Sequence, residues 1–530
     1  MIIQSDFSIF LETNTNTYDE ERDFLAKFTQ LEKSPEYIHT YSITPISLWN
    51  AAASGVKLEY IIEGIEKYSK FKVPENVILF IKEYYSRYGK IKIKNFDKDY
   101  FLLEFPPDTR LVLLNIKSLK NLIKDEFENS FIFKKLHRGF IKQLLINNDP
   151  PFPVEDLASF DDGDDIKINF KNGWQIRDYQ KDAAMTIYSS GHGVVVLPCG
   201  AGKTIVGLEV IRLFKKSTLI IVPHHAAITQ WKREILEKTD FKIEDIGEYS
   251  ALNKEIKPIT IATYNIISVN QAHFDIFTKK NWGLIIYDEV HIMPAPVFRI
   301  TAEIQSKRRL GLTATLIRED GREKDVFSLI GPKRYDIPWK DLERRNYIAK
   351  GICHECKISF NEDDKKEYII ATKREKVRIA GENKNKIHIV KEIIEKHKND
   401  KILIIGQYLT QLKVIAKEIK APLLTGSSSQ RERDKVYDDF RKGKFSILIT
   451  SKIANLAIDI PDVSVAIQVS GSFGSRQEEA QRLGRVLRPK DHPAYFYSIV
   501  TKDSIEEEFS LKRQLFLAEQ GYKYIIEEWD

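Results

Sequence analysis

The chain has 530 residues, too many for one hydrophobic core, and the usual domain size points to about three or four domains. Its 82 Lys and Arg against 76 Asp and Glu leave a net charge of +6, so any affinity for a polyanion has to come from local clusters. No run approaches the ~18 apolar residues of a membrane span, Met1-Ile2-Ile3-Gln4-Ser5-Asp6 lacks the regions of a secretory signal, and three cysteines cannot make a disulfide framework. A soluble, cytoplasmic protein with no membrane partner is expected.

In chain order, residues 43 to 96 read as short helices ending in a strand. Thr44-Pro45 opens a helix with Leu48, Trp49 and Ala51–Ala53; Tyr60-Ile61-Ile62 and Val77–Ile81 give further apolar faces, and Lys90-Ile91-Lys92-Ile93-Lys94 alternates with strand period. A helix-helix-helix-strand domain of winged-helix type follows, with a docking module that never touches DNA as the alternative. Residues 101 to 160 are mixed and basic, and Pro150-Pro151-Phe152-Pro153 followed by Asp161-Asp162-Gly163-Asp164-Asp165 is expected to be an unpacked linker.

From about residue 174, short apolar runs alternate with helical stretches. Val194–Leu197, Thr218–Val222, Ile259–Ala262, Leu284–Tyr287 and Arg309–Leu312 are strands of the kind covered on both faces; a second series comprises Ile402–Ile405, Ser446–Ile449, Val465–Gln468 and Tyr495–Ile499. The expected fold is α/β, with two parallel-sheet lobes preceded by small N-terminal α+β domains. Cys353-His354-Glu355-Cys356 has C-x-x-C spacing but no second pair to complete a zinc site, so it reads as ordinary strand or loop.

The chemistry of the first lobe centres on Leu197-Pro198-Cys199-Gly200-Ala201-Gly202-Lys203-Thr204, between a strand and the helical stretch Ile205–Phe214. Glycines let backbone N–H groups approach phosphates, Lys203 reaches the β and γ phosphates of ATP, and the Thr204 hydroxyl binds magnesium. The full phosphate-loop pattern wants glycine where Leu197 stands; superfamily 2 helicases keep only G-x-G-K-T. Asp288-Glu289-Val290-His291 ends a strand, where Asp288 can hold magnesium through water and Glu289 can polarise the attacking water. Thr313-Ala314-Thr315 ends the next strand and is placed to sense the γ phosphate and relay its loss. Arg177 and Gln180 precede the loop by one helix, where Gln180 can read the adenine edge.

In the second lobe, Gln481, Arg485 and Arg488 stand at i, i+4 and i+7, one face of a helix, where the arginines can stabilise charge on a transferring phosphate. Asp459-Ile460-Pro461 is expected in a loop that links nucleotide state to bound strand, with Asp459 near ATP.

Residues 174 to 522 closely resemble the XPB family of superfamily 2 DNA helicases and translocases, relatives of the helicase subunit of transcription factor TFIIH. The likeness rests on the phosphate loop, Trp282-Gly283-Leu284 before Asp288–His291, Leu310–Asp320, Leu329–Lys333, Tyr347–Lys350, Glu479–Arg488 and Gln520-Gly521-Tyr522. It implies RecA-like lobes at 166–345 and 346–530, an N-terminal XPB-like domain at 1–100, and a damage-recognition-like region with linker at 101–165. It also implies that Arg318, Glu319 and Asp320 form the family's strand-separating R-E-D element. A thumb-like insertion at about 360–386 would put Lys373 and Arg374 on DNA. Where relatives carry Gly-Asp in the coupling loop this chain has Ala454-Asn455.

The expectation is an ATP- and Mg2+-dependent DNA motor of 3′ to 5′ polarity acting in excision repair or transcription-linked opening. The competing reading is an ATPase scaffold that positions a nuclease or transcription factor on DNA; an RNA helicase is a third. The Ile-, Lys- and Asn-rich composition suggests an archaeal source, with the protein nucleoid-associated, or nuclear if eukaryotic.

Overall fold

The computed structural model describes every residue except 36, 160–161, 199, 270–275, 277–279, 294–296, 298–305, 317–320, 452–462, 472–478, 480–481, 485–486, 488–489, 491 and 530, and describes only the backbone of 268, 269 and 430. It divides into two compact units. One comprises Met1–Gln30, Thr40–Leu197 and Gly202–Asp336; the other comprises Leu31–His39, Pro198–Ala201 and Ile337–Asp530.

Strands β1 (Ile2–Ile3), β2 (Ser8–Glu12), β3 (Gln30–Lys33) and β4 (Ile38–Ser42) open the chain, β1 and β2 pairing antiparallel with Ile2 opposite Phe10. The expected helices follow at Pro45–Ala53, Leu58–Tyr68 and Glu75–Arg87. The first starts where it does because Thr44 and Ser47 cap each other, Ser47 N donating to Thr44 Oγ1 at 3.2 Å and Thr44 N to Ser47 Oγ at 3.1 Å, with Pro45 preset for the first turn. The second and third bury Ile61 with Ile65 and Val77 with Ile81, one turn apart on one face.

A five-stranded sheet comes next: β5 (Ile91–Asn95), β6 (Tyr100–Glu104), β7 (Asp125–Phe127), β8 (Ser130–Lys134) and β9 (Val154–Asp156), in the order β7-β8-β6-β5-β9. Phe101, Leu103, Phe131 and Phe133 point inward against Ile141 and Leu145 of the helix Arg138–Ile146. The domain boundary expected at residue 100 falls inside this sheet, since β5 and β6 pair with Lys92 opposite Glu104.

The linker expected after Pro150 is a packed segment instead. Phe152 lies on the core of the five-stranded sheet, and β9 adds to β5 in parallel. The acidic residues find cations far along the chain: Asp162 pairs with Lys216 (3.0 Å), Lys307 (3.2 Å) and Arg308 (2.8 Å), and Asp164 with Lys280 (2.8 Å). Partial burial would raise the Asp162 pKa, but the hydrogen bonds from Lys216, Arg308 and Lys307 outweigh it and hold the carboxyl well below the usual range. Like charges resist packing only while they lack counter-charges.

The first parallel sheet contains β10 (His192–Val196), β11 (Thr218–Val222), β12 (Ile246–Tyr249), β13 (Ile259–Thr263), β14 (Leu284–Asp288), β15 (Arg308–Thr313) and β16 (Lys333–Asp336), in the order β12-β13-β11-β14-β15-β10-β16, with every pairing parallel. Its inner strands β10, β11, β13, β14 and β15 are buried along nearly their whole length, which is why they carry apolar runs. The preceding domains are fastened to it in two places. Trp49 packs on Phe327 with ring centroids 5.8 Å apart, beside a bond from Lys333 N to Asn50 Oδ1 at 2.8 Å. Asp156, at the end of β9, accepts from Arg138 (2.7 Å), Lys142 (2.7 Å) and Arg309 of β15 (3.1 Å), all buried.

The second parallel sheet contains β17 (Gly351–Ile358), β18 (Ile402–Gly406), β19 (Leu423–Leu424), β20 (Ile447–Ser451), β21 (Val465–Gln468), β22 (Ala494–Thr501) and β23 (Tyr524–Trp529), in the order β19-β20-β18-β21-β22-β17-β23. Cys353 and Cys356 are buried within β17, where burial pushes the Cys356 thiol up to about 12 and makes it a poor nucleophile or ligand. Among the described residues there is no cluster fit to hold a metal by three His, Cys, Asp or Glu side chains, and no helix long and apolar enough to cross a membrane.

Candidate nucleotide site in the first parallel sheet

Strands β14, β15 and β10 are neighbours, so the segments leaving their carboxyl ends emerge side by side, where open parallel sheets place their ligands. From β10 comes the glycine loop. Gly200 and Gly202 have φ of +80° and +82°, a region open to glycine and costly for other residues, and the turn leads directly into the helix Lys203–Phe214. Lys203 and Thr204 therefore occupy the first turn, where backbone N–H groups and the helix dipole favour an anion. Ala201 N donates to Pro198 O at 3.2 Å, and Leu197 N to Thr313 O at 2.9 Å, the latter joining the start of the loop to the end of β15.

From β14 come Asp288 and Glu289. The Asp288 carboxylate accepts from the Trp231 indole Nε1 at 2.9 Å, and its backbone carbonyl accepts from the Tyr264 hydroxyl at 2.9 Å. Burial, then the adjacent charge of Glu289, raises the Asp288 carboxyl to about 6, with Trp231 and Lys203 acting in the opposite sense. Glu289 has φ of +49°, a left-handed conformation that aims its carboxylate back at the glycine loop: Oε1 lies 3.2 Å from Lys203 Nζ.

From β15 come Thr313, Ala314 and Thr315. The buried Thr313 hydroxyl lies 2.6 Å from Thr315 O, 3.2 Å from Thr315 N and 2.7 Å from His291 Nδ1. A hydroxyl has one proton; if it goes to the Thr315 carbonyl, His291 carries its proton on Nδ1 and donates to Thr313. The His291 Nδ1 also lies 3.4 Å from Glu289 Oε2, so polar groups of the D-E-V-H and T-A-T segments cluster together.

Gln180 stands beside the loop, since a Cβ on Gly202 would lie 2.4 Å from its Nε2. Its Oε1 accepts from Arg177 N at 3.1 Å, and Arg177 Nη1 reaches the Tyr179 hydroxyl at 3.1 Å. The structure thus brings Gln180, Gly202, Lys203, Asp288, Glu289, Thr313 and Thr315 to one edge of one sheet. Cys199, Arg318, Glu319, Asp320, Asp459, Gln481, Arg485 and Arg488 lie outside the described residues. Lys373 and Arg374 open a helix of the second unit. Sequence reasoning missed Trp231 and Tyr264 and gave His291 no role. The available signal was weak: a tryptophan on an apolar helix face needs a partner for its N–H, but its partner here is 57 residues away.

A loop of the G-x-G-K-T type and D-E-V-H on parallel strands that flank the strand ending in T-A-T, in a chain with a second all-parallel sheet, is the arrangement of a superfamily 2 helicase. Family profiles agree: the ERCC3/RAD25/XPB C-terminal helicase family matches residues 342–528, the type III restriction enzyme res subunit family residues 173–318, and a helicase conserved C-terminal domain residues 1–125. The chain is 45% identical to the DNA 3'-5' helicase XPB of Mycobacterium tuberculosis, covering 100% of this chain and 98% of that protein. It is 43% identical to the protein of the same name from Kineococcus radiotolerans, over 100% and 96%. It is 34% identical to the general transcription and DNA repair factor IIH helicase/translocase subunit XPB of Enterocytozoon bieneusi, over 98% and 91%. The chain belongs to the XPB family of DNA helicases. The relatives at 45% and 43% are bacterial and lend no support to the archaeal source expected from composition.

Proposed function

We propose that the protein uses ATP hydrolysis to move along DNA and separate its strands with 3′ to 5′ polarity, in excision repair or transcription-linked opening. The observation that carries this reading is the Lys203–Glu289 pair at 3.2 Å, on the sheet edge where the glycine loop and D-E-V-H meet. In the nucleotide complex the phosphates take over Lys203, which frees Glu289 to orient the attacking water. Loss of the γ phosphate is then felt by Glu289 and passed to His291, 3.4 Å away, and on to Thr313–Thr315.

Magnesium fits the residues present. Asp288 is crowded by the negative charge of Glu289, which a divalent cation would offset, and Thr204 adds a hydroxyl at the same edge. Asp288 and Thr204 would hold the ion, and when bound it would supply positive charge against that of the phosphates. Arg485 and Arg488 are assigned by sequence alone to stabilise the transferring phosphate, with Gln481 and Asp459 as further nucleotide contacts. Arg318, Glu319 and Asp320 are assigned in the same way to strand separation, and Gln180 to adenine.

The assignment of an XPB-like domain in 1–100, damage recognition in 101–165 and helicase lobes at 166–345 and 346–530 belongs to the same proposal, with the five-stranded sheet spanning the first of these boundaries. So do a nucleoid location and a nuclease or transcription factor as partner. The E. bieneusi relative is named as a helicase/translocase subunit, which favours a second reading in which this chain positions a partner on DNA and unwinds little.

Strand displacement by the purified chain separates the two. ATP-dependent release from a duplex with a 3′ overhang, and none from one with a 5′ overhang, is expected. Strong DNA-stimulated ATP hydrolysis without release from either would favour the positioning role, and release from the 5′ substrate alone would overturn the polarity.

A further inference from the structure

Two helices of the second unit, Glu362–Ile370 and Lys373–Gly381, are joined by Ala371 and Thr372 alone. The turn is braced: Thr372 N and Oγ1 both donate to Glu375 Oε2, at 2.9 and 2.7 Å. The base is anchored as well. The Tyr368 hydroxyl accepts from Ile505 N at 2.8 Å, Asp364 pairs with Lys384 at 3.1 Å, and Ile379 and Ala380 are buried.

At the tip of this fixed hairpin, Ile369 and Ile370 are 65% and 86% exposed. Scattered exposed apolar side chains are common, but an adjacent aliphatic pair held out on a braced turn is apolar surface without a cover. Around it stand Lys365, Lys366, Lys373 and Arg374, all exposed and none in an ion pair among the described residues. Two carboxylates stand nearby, Glu367 and the Glu375 that Thr372 holds in place, so the four cations outnumber them. Glu362 and Asp363 lie at the far end of their helix, about 10 Å away along its axis. The partner that fits is anionic on both flanks and apolar between them. Paired phosphate backbones on either side of a base stack have that pattern, and aliphatic side chains enter base steps in this way.

We propose that Ile369 and Ile370 form an apolar wedge that enters a base step of double-stranded DNA while Lys365, Lys366, Lys373 and Arg374 contact the flanking phosphates. The inference rests on the reading of the protein as a DNA motor, in which the resemblance already puts Lys373 and Arg374 on DNA, and adds to it the apolar pair that unstacks the duplex. An anionic membrane surface shares the apolar-and-basic chemistry; membership of a DNA helicase family favours DNA.

The test is binding of the full chain to duplex DNA containing 2-aminopurine, across a salt series, alongside ATP hydrolysis with and without DNA. The wild type is expected to brighten the probe. I369S/I370S, at solvent-exposed positions, is expected to bind about tenfold more weakly, to lose the brightening, and to keep the wild-type salt slope because no phosphate contact is removed. K373Q/R374Q is expected to lower that slope by about 2. The wedge is overturned if the wild type binds without brightening, or if I369S/I370S binds and brightens as the wild type does. It is also overturned if I369S/I370S loses binding to anionic phospholipid vesicles while its DNA binding is intact. Absence of both DNA binding and DNA-stimulated hydrolysis in the wild type would count against the motor itself.

Discussion

Lys203 and Glu289 hold each other at 3.2 Å at the head of a helix whose dipole favours an anion there. Removing the lysine side chain takes away its charge on the phosphates while leaving a residue well suited to a helix. Lys203→Ala is therefore expected to abolish ATP turnover and weaken nucleotide binding with an unchanged melting temperature; retained turnover would remove Lys203 from its role. Arg485→Lys should behave differently. A point charge replaces a planar fork, so nucleotide affinity persists while DNA-stimulated kcat falls by a factor of about 10^3. Equal losses of affinity and kcat would mean that Arg485 acts in binding rather than on the transition state.

At the scale of elements, the motif-bearing strands were legible because fully buried parallel strands are written as short apolar runs, as Leu284-Ile285-Ile286-Tyr287 is. The strand ends that carry glycine, lysine and paired carboxylates stood out because such residues together have few other uses, and the structure brings Gly202, Lys203, Asp288 and Glu289 to one sheet edge. Edge strands were not: β16 is Lys-Arg-Tyr-Asp and β12 is Ile-Gly-Glu-Tyr, with neither a run nor an alternation to mark them. The acidic segment after Pro150 was misread for a related reason. Local composition announces repulsion, whereas Lys307, which answers Asp162, is 145 residues on.

Asp156 is the clearest case of structure that depends on distant residues, since its buried carboxylate holds Arg138, Lys142 and Arg309 together. Burial opposes its charge, yet Arg138, Lys142 and Arg309 outweigh that cost and keep its pKa well below the ordinary value. Burial also drives the Lys142 pKa well down, with Arg309 and Arg138 adding to the effect against the pull of Asp156. The two residues should therefore differ under substitution. Asp156→Ala strands buried cations and is expected to cost about 3–5 kcal/mol in urea denaturation. Lys142→Met replaces a strained ammonium by an apolar chain of similar length and is expected to cost less than about 1 kcal/mol. Similar losses from both would show that the cluster does not fasten β9 to β15 through its carboxylate.

For the whole molecule, family membership gives the class, while the polar cluster of Lys203, Glu289, His291 and Thr313 is the route we propose from nucleotide to movement. That route has a purpose only if hydrolysis answers to a nucleic-acid track. The most direct measurement is steady-state ATP hydrolysis by the full chain in magnesium buffer, alone and with duplex DNA, single-stranded DNA or RNA. A DNA-motor role requires a low basal rate raised severalfold or more by DNA and little by RNA. A rate that DNA leaves unchanged, or that RNA raises above DNA, would contradict it.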